Sequence, residues 1–211
     1  MPTEHSEARR PRVHAPAKRE AEVLEVAADV FHRHGYSDTA VQDIADALGI
    51  RKASLYHYID SKDDLLYRIC RQVHEDARDM LAKVDATPGS ALERIAAYVR
   101  LHVDFNLQHL KKISVYWHDF DRLSPERREL LRGRRRDHEL HVRSLIEAGK
   151  RDGSIDPGVD TRIAARGIAA QTIWIYTWYE PDSKIAPEHL AASIVELVVK
   201  GLAVPTPSSG R

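Results

Sequence analysis

The residues best suited to chemistry lie between Gly49 and Asp60: Arg51, Lys52, Ser54, Tyr56 and His57, set around the apolar Ile50 and Leu55. With Ile50 and Leu55 turned toward a core, the others face outward as hydrogen-bond donors. A guanidinium or ammonium reaches guanine O6 and N7, or a phosphate oxygen. The Ser54 hydroxyl reaches a base or the backbone, and Tyr56 and His57 suit phosphates. Holding the duplex by its phosphates and reading its bases are separate jobs. Together these side chains make a face for the major groove and its flanking phosphates.

The residues before that face supply its holder. Val41, Ile44, Ala45 and Leu48 fall at i, i+3, i+4 and i+7, one side of a helix. Thr39 can cap that helix, and Gln42 stands where a capping box places Glu or Gln. Free N–H groups at such a start suit a phosphate oxygen, which adds Thr39 and Gln42 to the DNA-contacting set. Gly49 can take the left-handed conformation that ends a helix. The stretch 39–58 therefore reads as helix, turn, helix. Before it, Lys18 to about His34 predicts a helix that buries Leu24, Ala27, Ala28 and Phe31. After it, Ser61 caps a helix running to about Lys83, with Asp64 at the third position. Lys62 sits in that helix's first turn, where the dipole disfavours a cation, so an anionic partner is expected.

The run Leu55-Tyr56-His57-Tyr58 followed by Ser61-Lys62-Asp63-Asp64-Leu65, with Gly35-Tyr36 before it, resembles the helix-turn-helix domain of the TetR family. These are tetracycline-repressor-like bacterial regulators. The resemblance implies that Lys62 touches DNA phosphate and that an effector pocket lies among the middle helices. A dimer of such readers implies a palindromic operator, with half-sites about one duplex turn or a multiple apart.

The expected fold is all-α with about nine helices. A basic arm without apolar periodicity covers 1–16, with Arg9, Arg10 and Arg12 among Pro2, Pro11 and Pro16. The helix-turn-helix unit covers 17–62, a helical effector-binding and dimerisation domain covers 63–203, and a loose tail covers 204–211. The cleanest break is Asp85-Ala86-Thr87-Pro88-Gly89-Ser90. Beyond it, helices are expected from Ala91 to about His109, from Lys111 to about Leu123, and from Pro125 to about Lys150, the last capped by Ser124. Another opens at Asp160 or Thr161 and is apolar on nearly every side as far as Trp178. Glu180-Pro181-Asp182-Ser183 breaks it, and Pro187 starts the last.

A helix apolar all round must be covered all round. A second subunit is the natural cover, so Ile168, Thr172, Ile175, Leu190, Ile194 and Leu197 are expected at a homodimer interface. The aromatic and polar residues of the middle helices suggest the effector site: Tyr98, His102, Phe105, Tyr116, Trp117, Phe120, Arg166, Ala170 and Trp174. His109, His118 and Gln171 could add orienting contacts. An apolar cavity there would suit an acyl chain, a steroid-like or an aromatic molecule. The runs 115–123 and 172–179 are similar to the branch of the family that controls lipid and sterol breakdown, some of whose members sense acyl-CoA thioesters. Where those relatives place a polar or basic residue one turn before the tryptophan, this chain has Ala170. The arginines from Arg127 to Arg136 could meet CoA phosphates or form a salt-bridged, solvated face.

Composition sets limits. Lys plus Arg and Asp plus Glu each number 32, so the formal net charge is zero and only the distribution of charge can favour DNA. The single cysteine, Cys70, excludes an intramolecular disulfide and fits a reducing cytosol. It lies on the apolar face of Leu66, Ile69 and Val73 and reads as a buried structural thiol. No apolar run approaches the about 18 residues of a membrane span, and no signal core opens the chain. A cytoplasmic protein with no membrane partner is expected. No serine elbow, glycine-rich phosphate loop or activated cysteine appears, so neither an enzyme nor a cofactor is expected. His138 and His141, at i and i+3, keep a metal-responsive regulator of the same fold as an alternative. A helical dimerisation module without DNA function is another, against which the basic, hydroxyl-bearing helix speaks.

Overall fold

The computed structural model describes residues 16–204. The expected basic arm, Pro16 apart, and the expected tail, Val204 apart, lie outside them. Among the described residues there are nine α-helices: α1 (Pro16–His34), α2 (Val41–Ala47), α3 (Lys52–Leu55), α4 (Lys62–Asp85), α5 (Ala91–Gln108), α6 (Leu110–Asp119), α7 (Pro125–Asp152), α8 (Thr161–Ile173) and α9 (Pro187–Leu202). Short 3-10 turns follow α6 at Phe120–Arg122 and α8 at Trp174–Thr177. No described helix is long and apolar enough to cross a membrane.

Helix starts follow local chemistry. Ser61, Ser90 and Ser124 each accept an amide N–H from three residues ahead, and Asp160 accepts those of Arg162 and Ile163. At Ser90 the Glu93 carboxylate reaches back to the Ser90 amide at 2.7 Å, completing a capping box. At α2 the cap differs from the expected one. Ala40 is the capping residue, and its amide donates to the Asp43 carboxylate at 2.7 Å. Thr39 instead donates its hydroxyl to the Gly35 carbonyl at 2.7 Å, and Gln42 donates to Asp46. The carboxylate is the stronger acceptor for a helix-start amide, so Asp43 takes the role assigned to Gln42.

The helix expected as far as Trp178 ends at Ile173. From Thr172 to Trp178 every residue is β-branched or aromatic, the types that lose most χ1 freedom in a helix. The Thr172 hydroxyl also back-bonds to the Ile168 carbonyl at 3.0 Å, a contact that bends helices.

Two cores result. The N-terminal one joins Phe31, Ile44, Leu55, Leu65 and Ile69, and α6, the 3-10 turn after it and α7 reach into it with Val115, Tyr116, Phe120 and Leu131. The C-terminal one surrounds α5, whose Ile95, Tyr98, Val99 and Val103 meet α4, α7, α8 and α9. Gly149 of α7 is needed there: a Cβ would lie 2.5 Å from the Ile155 side chain.

The dimer expectation needs correction. Ile168, Thr172, Ile175, Leu190 and Ile194 are buried inside the protomer, facing α5 and its neighbours. Only Leu197 is exposed, at 65 %. With Leu197, the uncovered apolar surface here carries Ile163 of α8 and Trp174 of the turn that follows it. Helix α8 is apolar on several sides, and packing against α5 decides which of them is turned outward.

Candidate DNA interface and effector cavity

The turn between α2 and α3 is closed by backbone. Gly49, at φ 65°, lets its own amide reach the Asp46 carbonyl and the Ile50 amide reach the Ala45 carbonyl, both at 3.0 Å. These paired bonds satisfy the last carbonyls of α2 and return Ile50 to the core. Leu55 is fully buried beneath α3. Arg51, Lys52, Tyr56 and His57 are exposed around it, and Ser54 is half-buried.

The remaining residues expected to touch DNA are placed differently. Thr39 is buried, its hydroxyl committed to Gly35. Gln42 is exposed. The Lys62 ammonium donates to the carbonyls of Tyr36 at 2.8 Å, Ser37 at 3.3 Å and Thr39 at 2.9 Å, and stands 4.4 Å from the Tyr36 ring centroid. Its partners are carbonyl oxygens at the end of the α1–α2 loop, so all three of its protons are engaged without phosphate.

A cavity of about 210 Å³ opens between α4, α5, α6, α7 and α8. Of the residues expected at the effector site, Tyr98, His102, Phe105, Tyr116, Trp117 and Arg166 line it. Three do not. Phe120 belongs to the N-terminal core, Ala170 is exposed on the outer side of α8, and Trp174 is 60 % exposed. His109 packs on Phe105, His118 packs on Tyr176, and Gln171 reaches the Gly167 carbonyl, all away from the cavity. The sequence reading missed Val73, His74 and Ala77 of α4 and Arg135, His138, Glu139 and Val142 of α7, with Ala165, Ala169 and Ile173 of α8. A signal for α7 existed: Leu131, His138, Val142, Leu145, Ile146 and Gly149 form a helical stripe through an otherwise charged helix.

The polar groups on the wall are tied to one another and to Thr172. The Tyr98 hydroxyl lies 3.1 Å from His102 Nδ1 and 2.9 Å from His138 Nε2, and Thr172 Oγ1 lies 2.9 Å from the same His102 Nδ1. Tyr116 Oη meets His74 Nε2 at 3.1 Å. Burial keeps all three imidazoles neutral: it pushes His102 down to about 3, and His74 and His138 down to about 4. Nearby arginines, Arg134 and Arg135, add to the effect at His74. Burial raises the Tyr98 phenol, and raises that of Tyr116 to about 12. His138 and His141, the candidate metal pair, turn to different partners, Tyr98 and Asp85.

The basic run of α7 divides. Arg127 pairs with Asp63 at 2.6 Å, Arg128 faces Asp121, and Arg134 faces Glu75. Arg135 alone of that run lines the cavity, its guanidinium over the rings of Trp117 and Phe120. Arg166 lines it too, with Nε 3.4 Å from Glu139.

The cavity and the DNA-facing unit share structure. Tyr116 lines the first and belongs to the core of the second. Lys111 and Lys112 of α6 pair with Asp29 and Glu25 of α1. At the start of α7, Arg127 and the Ser124 amide both bind the Asp63 carboxylate in the first turn of α4.

Comparison with known proteins agrees with this layout. The model of bacterial regulatory proteins of the tetR family matches residues 23–69, and that of the tetracyclin repressor-like C-terminal domain matches 88–202. The transcriptional repressor KstR2 of Rhodococcus jostii is 30 % identical over 202 residues, spanning 89 % of this chain and 92 % of that one. The structure of the ketosteroid transcriptional regulator KstR2 of Mycobacterium tuberculosis superposes with a TM-score of 0.83 at 24 % identity, covering 89 % of this chain and 96 % of that one. AibR, solved with isovaleryl coenzyme A and operator DNA, gives 0.77 at 27 % identity, over 85 % and 97 %. A donor face carried by a helix-turn-helix, a helical domain behind it and both family matches together make the chain a DNA-binding transcriptional regulator of the TetR family.

Proposed function

We propose that the protein is a cytoplasmic repressor that grips a palindromic operator as a homodimer and lets go when a small hydrophobic effector enters the cavity. Arg51 and Lys52 read bases, Ser54 meets base or backbone, and Tyr56 and His57 hold phosphates. Lys62 braces the reader from behind. The two protomers meet through the outer faces of α8 and α9, around Ile163, Trp174 and Leu197, where apolar surface is otherwise left in water. It acts by binding and not by catalysis.

The observation that carries this reading is the double position of Tyr116, on the cavity wall and in the N-terminal core. A ligand that displaces it must disturb the packing beneath α1 and α4. Release then follows from the ligand's differential affinity for two dimer states. Acyl groups are the favoured class: the wall is mostly apolar, and AibR was solved with an acyl-CoA and its operator. A volume near 210 Å³ holds an acyl portion and leaves a CoA nucleotide outside, toward Arg135 or Arg166. The Ala170 departure from the lipid branch falls on the exposed side of α8 and leaves the wall unchanged.

Selecting the operator from random duplexes and titrating the complex with acyl-CoAs, free acids and aromatics tests the proposal. Dissociation by at least one series member is expected. Equal affinity for operator and random DNA in moderate salt would defeat the repressor assignment.

A further inference from the structure

We infer that His102 offers the cavity a bare acceptor nitrogen, so that the site selects an effector carrying a hydroxyl group at its buried end. The inference rests on the effector-cavity reading above and names the chemistry that cavity recognises.

The distances in the hydrogen-bond network support one placement of the protons. Thr172 Oγ1 lies 3.0 Å from the Ile168 carbonyl and 3.2 Å from the Ala169 carbonyl, both of which can only accept, and we place the Thr172 proton between them. The same oxygen lies 2.9 Å from His102 Nδ1. With its proton on those carbonyls Thr172 can only accept from the ring, and Nδ1 then carries the hydrogen. Tyr98 Oη, 3.1 Å from that Nδ1–H, accepts from it as well and donates its own proton to His138 Nε2 at 2.9 Å. Every contact in the set is then matched, donor to acceptor.

A neutral imidazole has one N–H. Burial holds His102 neutral. With the hydrogen on Nδ1, Nε2 presents a lone pair. Nε2 makes no hydrogen bond among the described residues, and His102, otherwise buried, lines the cavity. A ligand hydroxyl satisfies that lone pair. A ketone or a carboxylate brings only further lone pairs to it, and a hydrocarbon leaves it unpaired at a desolvation cost.

Four probes of one ring size isolate the effect: cyclohexanol, cyclohexanone, methylcyclohexane and cyclohexanecarboxylate, titrated into the full-length protein by NMR. Side-chain nitrogen spectra of the same samples report the tautomer of His102 directly. The expected result is an Nδ1–H tautomer, with cyclohexanol bound about three- to ten-fold more tightly than the other three, the worth of one hydrogen bond. His102→Phe should bring cyclohexanol and methylcyclohexane to equal affinity. Should that variant fail to fold, the wild-type tautomer and probe ranking still decide. An Nε2–H tautomer, or cyclohexanone binding as tightly as cyclohexanol, overturns the inference and leaves the cavity as an effector site. If no probe binds while operator binding is intact, the effector-cavity reading falls with it.

Discussion

The Tyr116 hydroxyl and His74 Nε2 meet at 3.1 Å, bridging α6 to α4 where the cavity borders the N-terminal core. The two rings stand edge to face, 5.3 Å between centroids. The phenol is held protonated and the imidazole neutral, so the bond persists across physiological pH. Tyr116→Phe keeps the ring and deletes this link. Stability should fall by about 1 kcal/mol, the net worth of one neutral hydrogen bond. Operator affinity without effector should stay near wild type, while the acyl-CoA concentration for half-release changes by about five-fold. Anisotropy titrations with labelled operator read both quantities. Release at the wild-type concentration would remove Tyr116 from the coupling path.

Lys62 gives a sharper discrimination. Its ammonium binds three carbonyls and a ring face, all within the α1–α2 loop. Lys62→Met should therefore cost about 1.5–3 kcal/mol of stability, as for hydrogen bonds to a charged group. Operator binding should weaken because α2 loses its brace, but the salt dependence should keep its slope. A residue that neutralises a phosphate would instead lower the slope of log K against log salt by about 1. Titrations at several salt concentrations separate the two roles.

The buried histidines set the acid limb of stability. His74, His102 and His138 titrate near 4, 3 and 4 when folded, against an ordinary value of 6.5. Their folded values are depressed, so the unfolded chain binds more protons below pH 6.5. Stability then rises with pH from about 4 to 6.5 and levels off above. At pH 5, unfolding should take up about two to three protons from these residues. Urea titrations at pH 5, 6 and 7 give the slope. A flat profile over that window would mean that the three rings are not held neutral by burial.

Much of the N-terminal unit was legible because local signals sufficed. Gly49 had to be left-handed, Leu55 had to turn inward, and the donors had to face out. Its errors were local competitions: Asp43 outbids Gln42 for the helix start, and Thr39 finds Gly35 first. The cavity was legible only in part because it is made by distant helices. Aromatic content marked α5 and α6, but His74 and His138 look like solvated residues until α4 and α7 are packed together. The dimer face failed for a related reason. An apolar helix shows that two sides are covered, and only packing against α5 decides which side is which.

Recognition by Arg51 is testable without knowing the effector. Arg51 is exposed and caps the start of α3 with extended backbone, φ −72° and ψ 145°. Its side chain carries no helix-capping hydrogen bond, so truncation should leave the fold intact. Arg51→Ala should cost about 1–3 kcal/mol on the operator and relax preference at one base pair, with little change on random duplex. Uniform loss on both would assign Arg51 to a phosphate.

Leu197 and Ile194 lie three residues apart on α9, yet they should answer mutation in opposite ways. Leu197 is 65 % exposed, whereas Ile194 is 7 % exposed and belongs to the C-terminal core. Leu197→Lys places a charge on the outer face, where it costs the protomer little and the dimer about 2 kcal/mol or more if this face is buried on association. Sedimentation should show dissociation with helix content unchanged, and operator binding should fall because one half-site alone is gripped. Ile194→Ala should instead cost about 2–5 kcal/mol of folding stability through the cavity it leaves, with the folded fraction still dimeric. If Leu197→Lys sediments as a wild-type dimer, the protomers meet elsewhere, and the exposed set of Ile163, Trp174 and Leu197 needs another partner.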